Sequence, residues 1–160
     1  MLFRSITDIP AFSSTQLGKK FQSEIEEHQK YLFNKEFKKG LEKVMSLGHA
    51  TNLSFSDAAP WAQFKVDQSL ASKTIAETSL AIMVLGVLFA PYLPGFSEKI
   101  LRHFNVVLSD EDKKRIYKGD FSSLDNIKEL KIVHSPTALV PKIEDSVVAD
   151  LEANLIPQGV

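Results

Sequence analysis

Leu80-Ala81-Ile82-Met83-Val84-Leu85-Gly86-Val87-Leu88-Phe89-Ala90-Pro91 is the longest apolar run in the chain. A membrane-spanning helix needs about 18 or more such residues. This run is shorter and reads as a core helix. Traced back to Ser69 and on to Ala90, the helix has Ile75, Ile82, Leu85 and Phe89 on one face. Leu80, Val84, Val87 and Leu88 make the rest of its circumference apolar too. A helix that is apolar all round is buried, so this segment is expected to form the centre of the fold, stopped by Pro91 and Pro94.

The segments on either side carry helical periodicity of their own. Upstream, Ser13, Ser14 and Thr15 are N-cap candidates. The stretch to about Asn34 places Leu17, Phe21, Ile25 and Leu32 on a narrow stripe. A second helix follows, with Phe37, Leu41, Val44, Met45, Gly48, Asn52 and Phe55 at i, i+4, i+7 and i+8 spacings. It should end near Asp57, because Pro60 disfavours helix just before it. Gly40 and Gly48 weaken it slightly and permit a neighbour to approach closely. Downstream, a short helix runs through Phe96, Ile100, Leu101 and Phe104. Ser109 then caps Asp110 to Lys118, with acids first and bases last as the helix dipole favours. Residues 119–142 read as loop with brief extended pieces such as Leu130 to Val133. Ile143 to Leu155 is a final amphipathic helix with Ile143, Val147, Leu151 and Leu155 on one stripe. The fold class is therefore all-α, a helical bundle with a C-terminal arm and helix. Residues 1–118 form the bundle, and residues 119–160 form the arm and a final helix that packs back on it.

Composition narrows the chemistry. The chain has 160 residues, 44% hydrophobic and 24% charged, ordinary values for one globular domain. Its formal net charge is -1, so any nucleic-acid role must rest on local patches rather than on a basic domain. With no cysteine there is no disulfide, thiolate metal site or Cys nucleophile, which fits a reducing compartment. The N-terminus has no signal-peptide pattern. None of the histidines has metal-ligand spacing. His28 shares a helix face with Glu24, but a Glu-x-x-His site needs its glutamate at the position held by Ile25. His28 is read as a solvated helix residue. Neither a Gly-rich phosphate loop nor a G-x-S-x-G elbow is present. No catalytic residue, metal site or cofactor is expected in this chain.

One constellation stands out: Asn52-Leu53-Ser54-Phe55-Ser56-Asp57-Ala58-Ala59-Pro60-Trp61-Ala62-Gln63-Phe64-Lys65, which holds the only tryptophan. Further on comes Ala90-Pro91-Tyr92-Leu93-Pro94, then Ser97 and Lys99-Ile100. This ordered set resembles the anticodon-binding domain of methionyl-tRNA synthetases, class I enzymes. That family shows an Asn, a Pro-Trp, a Lys four residues beyond the Trp, and a long apolar helix ending in Pro-Phe-Met/Leu-Pro. Leu139-Val140-Pro141-Lys142-Ile143-Glu144 is similar to its C-terminal element. Ser54 stands where the family often has an aromatic, and Tyr92 where Phe is more usual.

The resemblance implies a role in translation: recognition of the anticodon loop of methionine tRNA. It implies stacking of Trp61 on an anticodon base, with Asn52 and Lys65 as further tRNA-binding candidates. It also implies an anticodon contact for Arg4, from an Asn-x-x-x-Arg pair whose Asn would precede Met1. The chain would then be part of a longer ligase, in which a separate catalytic domain uses ATP and methionine. The partners implied are methionine tRNA and that catalytic domain, with no DNA and no membrane, in the cytoplasm.

The residues also admit plainer readings. Trp61 can be a packed bundle aromatic, Asn52 a helix-end residue bonded to a nearby loop, and Lys65 a solvated lysine or a phosphate contact. Lys35, Lys38, Lys39 and Lys43 form either a wet face or a track for the RNA backbone. Two rival functions stay open on sequence alone. One is the anticodon-binding domain of a sister synthetase, and the other is a helical protein-interaction module without RNA binding.

Overall fold

The computed structural model describes residues 5–133, 139 and 144–155, the last five of these as backbone. After a single 3-10 turn, Phe12–Ser14, the helices are α1 (Gln16–Phe33), α2 (Phe37–Ala58), α3 (Pro60–Val66) and α4 (Gln68–Phe89). They are followed by α5 (Pro94–Leu101), α6 (Asp110–Tyr117), α7 (Ser122–Asp125) and α8 (Asp145–Leu155). No strand occurs among the described residues. Two isolated antiparallel bridges, Ile6 to Leu130 and Phe104 to Ile132, tie the connecting segments together. The fold is the expected all-α bundle.

α4 is its centre, as its composition requires. Helices α1, α2, α3, α5 and α6 all pack on it, and from Ser79 to Phe89 only Ile82 is exposed. By length and composition α4 is long and apolar enough to cross a membrane, but here its apolar surface is covered by other helices. A Cβ on Gly86 would stand 3.0 Å from Ile100 Cγ2 and 3.1 Å from Leu101 Cδ2, so the glycine sets how closely α5 can lie. Pro94 does not merely stop α4; it opens α5 as a first-turn residue, where its missing N–H costs nothing.

Local signals act as their chemistry dictates. Thr15, one of the three N-cap candidates, accepts from the Gly18 N–H at 3.0 Å. At the far end of α1 the Lys35 N–H donates to Leu32 O and the Glu36 N–H to Tyr31 O. That is the Schellman closure, with Lys35 at φ 60°. Ser109 and Asp112 form a reciprocal capping box on α6. α3 was not expected. Its signal was Pro60 itself, at the first helical position.

Two side-chain expectations are corrected. On α2 the buried residues are Gly40, Val44, Leu47 and Thr51, so the core face is rotated about one residue from the apolar stripe. Phe37 and Met45 are left 56% and 58% exposed. The rotation follows from two residues that an apolar pattern does not count. Gly40 lets the Tyr92 ring in, since a Cβ there would stand 2.1 Å from the Tyr92 hydroxyl. Thr51 buries its hydroxyl by donating to Leu47 O at 2.9 Å. His28 is not solvated; it is 0% exposed. It lies one turn beyond Leu17, Phe21 and Ile25 on the buried face of α1, and its Nε2 sits 3.0 Å from the Tyr92 hydroxyl. Burial pushes its pKa below the ordinary value, because the charged ring would lose its water.

The segment read as loop after residue 118 contributes to the same core. Phe121, Leu124 and Leu130 are buried in it, and the Phe12 and Phe121 rings meet edge to face at 5.1 Å. Residues 144–150 are exposed. Ile143, and the side chains of Leu151 and Leu155, lie outside what the structure describes.

Candidate functional site

The turn from α2 into α3 carries the tryptophan. α2 closes with Ala59 in the left-handed region, φ 46° and ψ 62°, its N–H donating to Phe55 O at 3.2 Å. A non-glycine residue is strained there. Pro60 follows, buried, and wedges the start of α3 against the bundle. Trp61 is the next residue and points outward: it is 60% exposed. Its ring meets Phe55 edge to face, with centroids 6.0 Å apart and planes at 68°. Trp61 is therefore neither a core aromatic nor a free one. It is held at one side and open at the other.

Asn52 lies one turn before Phe55 on α2 and is exposed. Its side chain makes no hydrogen bond among the described residues. Asn52 and Phe55 both line a groove of about 350 Å³ between α2 and α4, floored by Thr51, Ile75, Thr78 and Ile82. Lys65 is one turn beyond Trp61 on α3, exposed, with no ion pair among the described residues. The structure thus brings Asn52, Phe55 and Trp61 into one contiguous patch and puts Lys65 on the same short helix. Arg4 lies outside the described residues.

Two of the four clustered lysines, Lys39 and Lys43, are held in ion pairs. Lys43 sits between Glu24 at 2.6 Å and Glu27 at 2.5 Å. Hydrogen bonds that Lys43 donates to those two carboxylates raise its pKa above the usual lysine range and hold the Glu27 carboxyl below its own. Lys39 pairs with Glu36 and lies over the Tyr31 ring at 5.8 Å. Lys35 closes α1 through its backbone N–H alone; its side chain and that of Lys38 are exposed, with no ion pair among the described residues. Sequence spacing could not show the Lys43 pairs, because both acids come from α1, whereas Glu36 and Lys39 stand three residues apart. Among the described residues no group of three or more His, Asp or Glu is placed to hold a metal ion.

Phe55 is the residue of the candidate site that the sequence reading missed. It was counted as part of a core stripe, yet it forms the mount of Trp61. The available signal was its place between Asn52 and Trp61, one helical turn from the first. Chemically, the patch offers an open indole, an uncommitted amide and one free ammonium. Those are the groups that an unstacked base and its phosphate engage.

A family model described as the anticodon binding domain of methionyl tRNA ligase matches residues 9–157. That range includes Asn52, Trp61 and Lys65 but not Arg4. Among curated relatives, the methionine–tRNA ligase of Dehalococcoides mccartyi (strain CBDB1) is 29% identical over 129 residues, 81% of this chain and 22% of the relative. Methionine–tRNA ligase 1 of Acaryochloris marina is 27% identical over 129 residues, 81% of this chain and 23% of the relative. The methionine–tRNA ligase of Pyrococcus horikoshii is 32% identical over 103 residues, 64% of this chain and 14% of the relative. The chain spans less than a quarter of the length of each of these.

Proposed function

The chain belongs to the family of methionyl-tRNA ligase anticodon-binding domains, and from that premise we propose that it binds the anticodon loop of methionine tRNA, with Trp61 as a stacking platform for one base. The observation that carries this reading is the half-open state of Trp61: 60% exposed, yet fixed from one side by Phe55. A bundle gains stability by burying a tryptophan. Holding one open on a short helix forgoes that gain and offers a flat face to a partner.

In this reading Asn52 bonds the edge of a base in or beside the groove, and Lys65 contacts a phosphate. Arg4 joins as a further base or phosphate contact. Base stacking on an aromatic ring is worth about 1–3 kcal/mol. Attachment of methionine to tRNA, with ATP, belongs to a catalytic domain of the parent enzyme, working in the cytoplasm. The positions here supply recognition only. The methionine–tRNA ligases among the relatives support methionine over the sister enzymes as the amino acid.

The test is equilibrium binding of the full chain to an anticodon stem-loop carrying CAU, beside the same stem with a scrambled loop. The reading expects tighter binding of the CAU loop. Equal affinity for both loops by a folded chain would overturn it.

A further inference from the structure

Three threonines lie inside α2 and α4 with hydroxyls placed to bond. Thr51 and Thr78 donate to the carbonyls four residues back, Leu47 O and Thr74 O, each at 2.9 Å. This is the common local choice for a threonine inside a helix. Thr74 does otherwise: its hydroxyl reaches across to α3 and donates to Gln63 Oε1 at 2.8 Å. Gln63 is two residues from Trp61, on the side of α3 that faces α4, and both partners are half-buried.

α3 is held by its packing against α4, to which this bond adds. At seven residues it is far below the length at which a helix holds itself in water. Its entry is the strained Ala59. Its exit is the extended Asp67, φ -144°, whose N–H bonds Gln63 O at 2.7 Å and whose carboxylate caps α4 through the Leu70 N–H at 3.0 Å. Buried Pro60 fixes where the helix starts, but not how it is rotated about that point. Rotation of α3 swings the Trp61 ring, because a side chain on a helix turns with its axis.

We propose that Gln63 and Thr74 are a positioning pair for anticodon recognition, their hydrogen bond fixing α3 on α4 and so the plane that Trp61 presents to RNA. This rests on the reading of Trp61 as a stacking platform. Neither residue touches the base; both act through Trp61. The pair pre-orients the ring in the free protein, so less ordering is required when RNA binds.

The test uses the full chain with Thr74→Val, which removes the hydroxyl at nearly constant shape, Thr74→Ser, which restores it, and Gln63→Leu, which removes the acceptor from the other side. Each is measured for affinity to the CAU stem-loop, alone and combined with Trp61→Ala. Time-resolved anisotropy of Trp61, the only tryptophan, is recorded without RNA. Thr74→Val and Gln63→Leu are each expected to weaken CAU binding about threefold to tenfold, the effect of one net hydrogen bond. They should also free the local motion of Trp61 and add no loss in the Trp61→Ala background, while Thr74→Ser binds like the parent chain. Parent-like affinity in Thr74→Val, or an equal loss in the Trp61→Ala background, would overturn the pair. If Trp61→Ala alone leaves affinity unchanged, the stacking reading has failed and the pair falls with it. Loss on Trp61→Ala with none on Thr74→Val refutes the pair alone. Should Thr74→Val fail to fold, Gln63→Leu against Thr74→Ser decides the same question.

Discussion

The Tyr92 hydroxyl stands 3.0 Å from Nε2 of His28, and Nδ1 of that buried ring has no partner among the described residues. This bond gives the Tyr92 hydroxyl a partner that a phenylalanine could not reach. Tyr92→Phe would leave the ring with neither nitrogen paired. A loss of about 1–3 kcal/mol in denaturant unfolding is expected, the cost of an unsatisfied buried polar group.

The same histidine makes stability depend on pH. Burial lowers its folded pKa below the ordinary 6.5, so the unfolded chain takes up the proton more readily. Its contribution is whole above pH 6.5 and declines as pH falls from there toward the folded value, by at most about 1.4 kcal/mol per pH unit. Urea unfolding at pH 7.5 and pH 5.5 should show that decline, and His28→Leu should remove it. An unchanged pH dependence in His28→Leu would contradict the assignment.

Lys35 occupies a left-handed position that suits glycine. Lys35→Gly should stabilise the chain by about 0.5–1 kcal/mol, the relief of strain outweighing the added freedom of the unfolded chain. A thermal melt reads it. Destabilisation would mean that the lysine side chain contributes more than its backbone strain removes.

Free positive charge at the site is sparse, which limits salt dependence. For single-stranded RNA each neutralised phosphate contributes about -0.7 to the slope of log affinity against log salt. Lys65→Gln should lower the magnitude of that slope by roughly one such step. Lys43→Gln should leave the slope alone and act on stability instead, since Glu24 and Glu27 already hold the Lys43 charge. A steep slope that depends on Lys43 would contradict this and place Lys43 against the RNA backbone.

Much of the fold was legible because its signals are local. The all-round apolar run gave α4, Ser109 gave α6, and Thr15 was among the caps expected for α1. What stayed hidden depended on partners distant in sequence. His28 lies on the buried face of α1, and the bond that satisfies its ring comes from Tyr92, far along the chain. The buried face of α2 is set by Gly40 and Thr51, which no apolar count registers. Of the candidate site, Trp61 and Asn52 were visible as residues. The mount, Phe55, and the pair Gln63 and Thr74 were not, since each is defined by a contact between helices.

Phe55 should matter to RNA more than its exposure suggests. Phe55→Ala removes the edge contact to Trp61 and one wall of the groove. It is expected to weaken CAU stem-loop binding by about 0.5–1.5 kcal/mol, the worth of an aromatic pair. Phe55→Leu should restore the groove wall but not the ring contact. Full recovery in Phe55→Leu would show that the groove matters and the mount does not.

The most direct measurement is titration of the full chain with a CAU anticodon stem-loop while the fluorescence of Trp61 is followed. A base stacked on the indole quenches it, and Trp61→Ala should then bind the same RNA about 1–3 kcal/mol more weakly. RNA binding that leaves Trp61 emission unchanged, with Trp61→Ala as tight as the parent chain, would contradict the account.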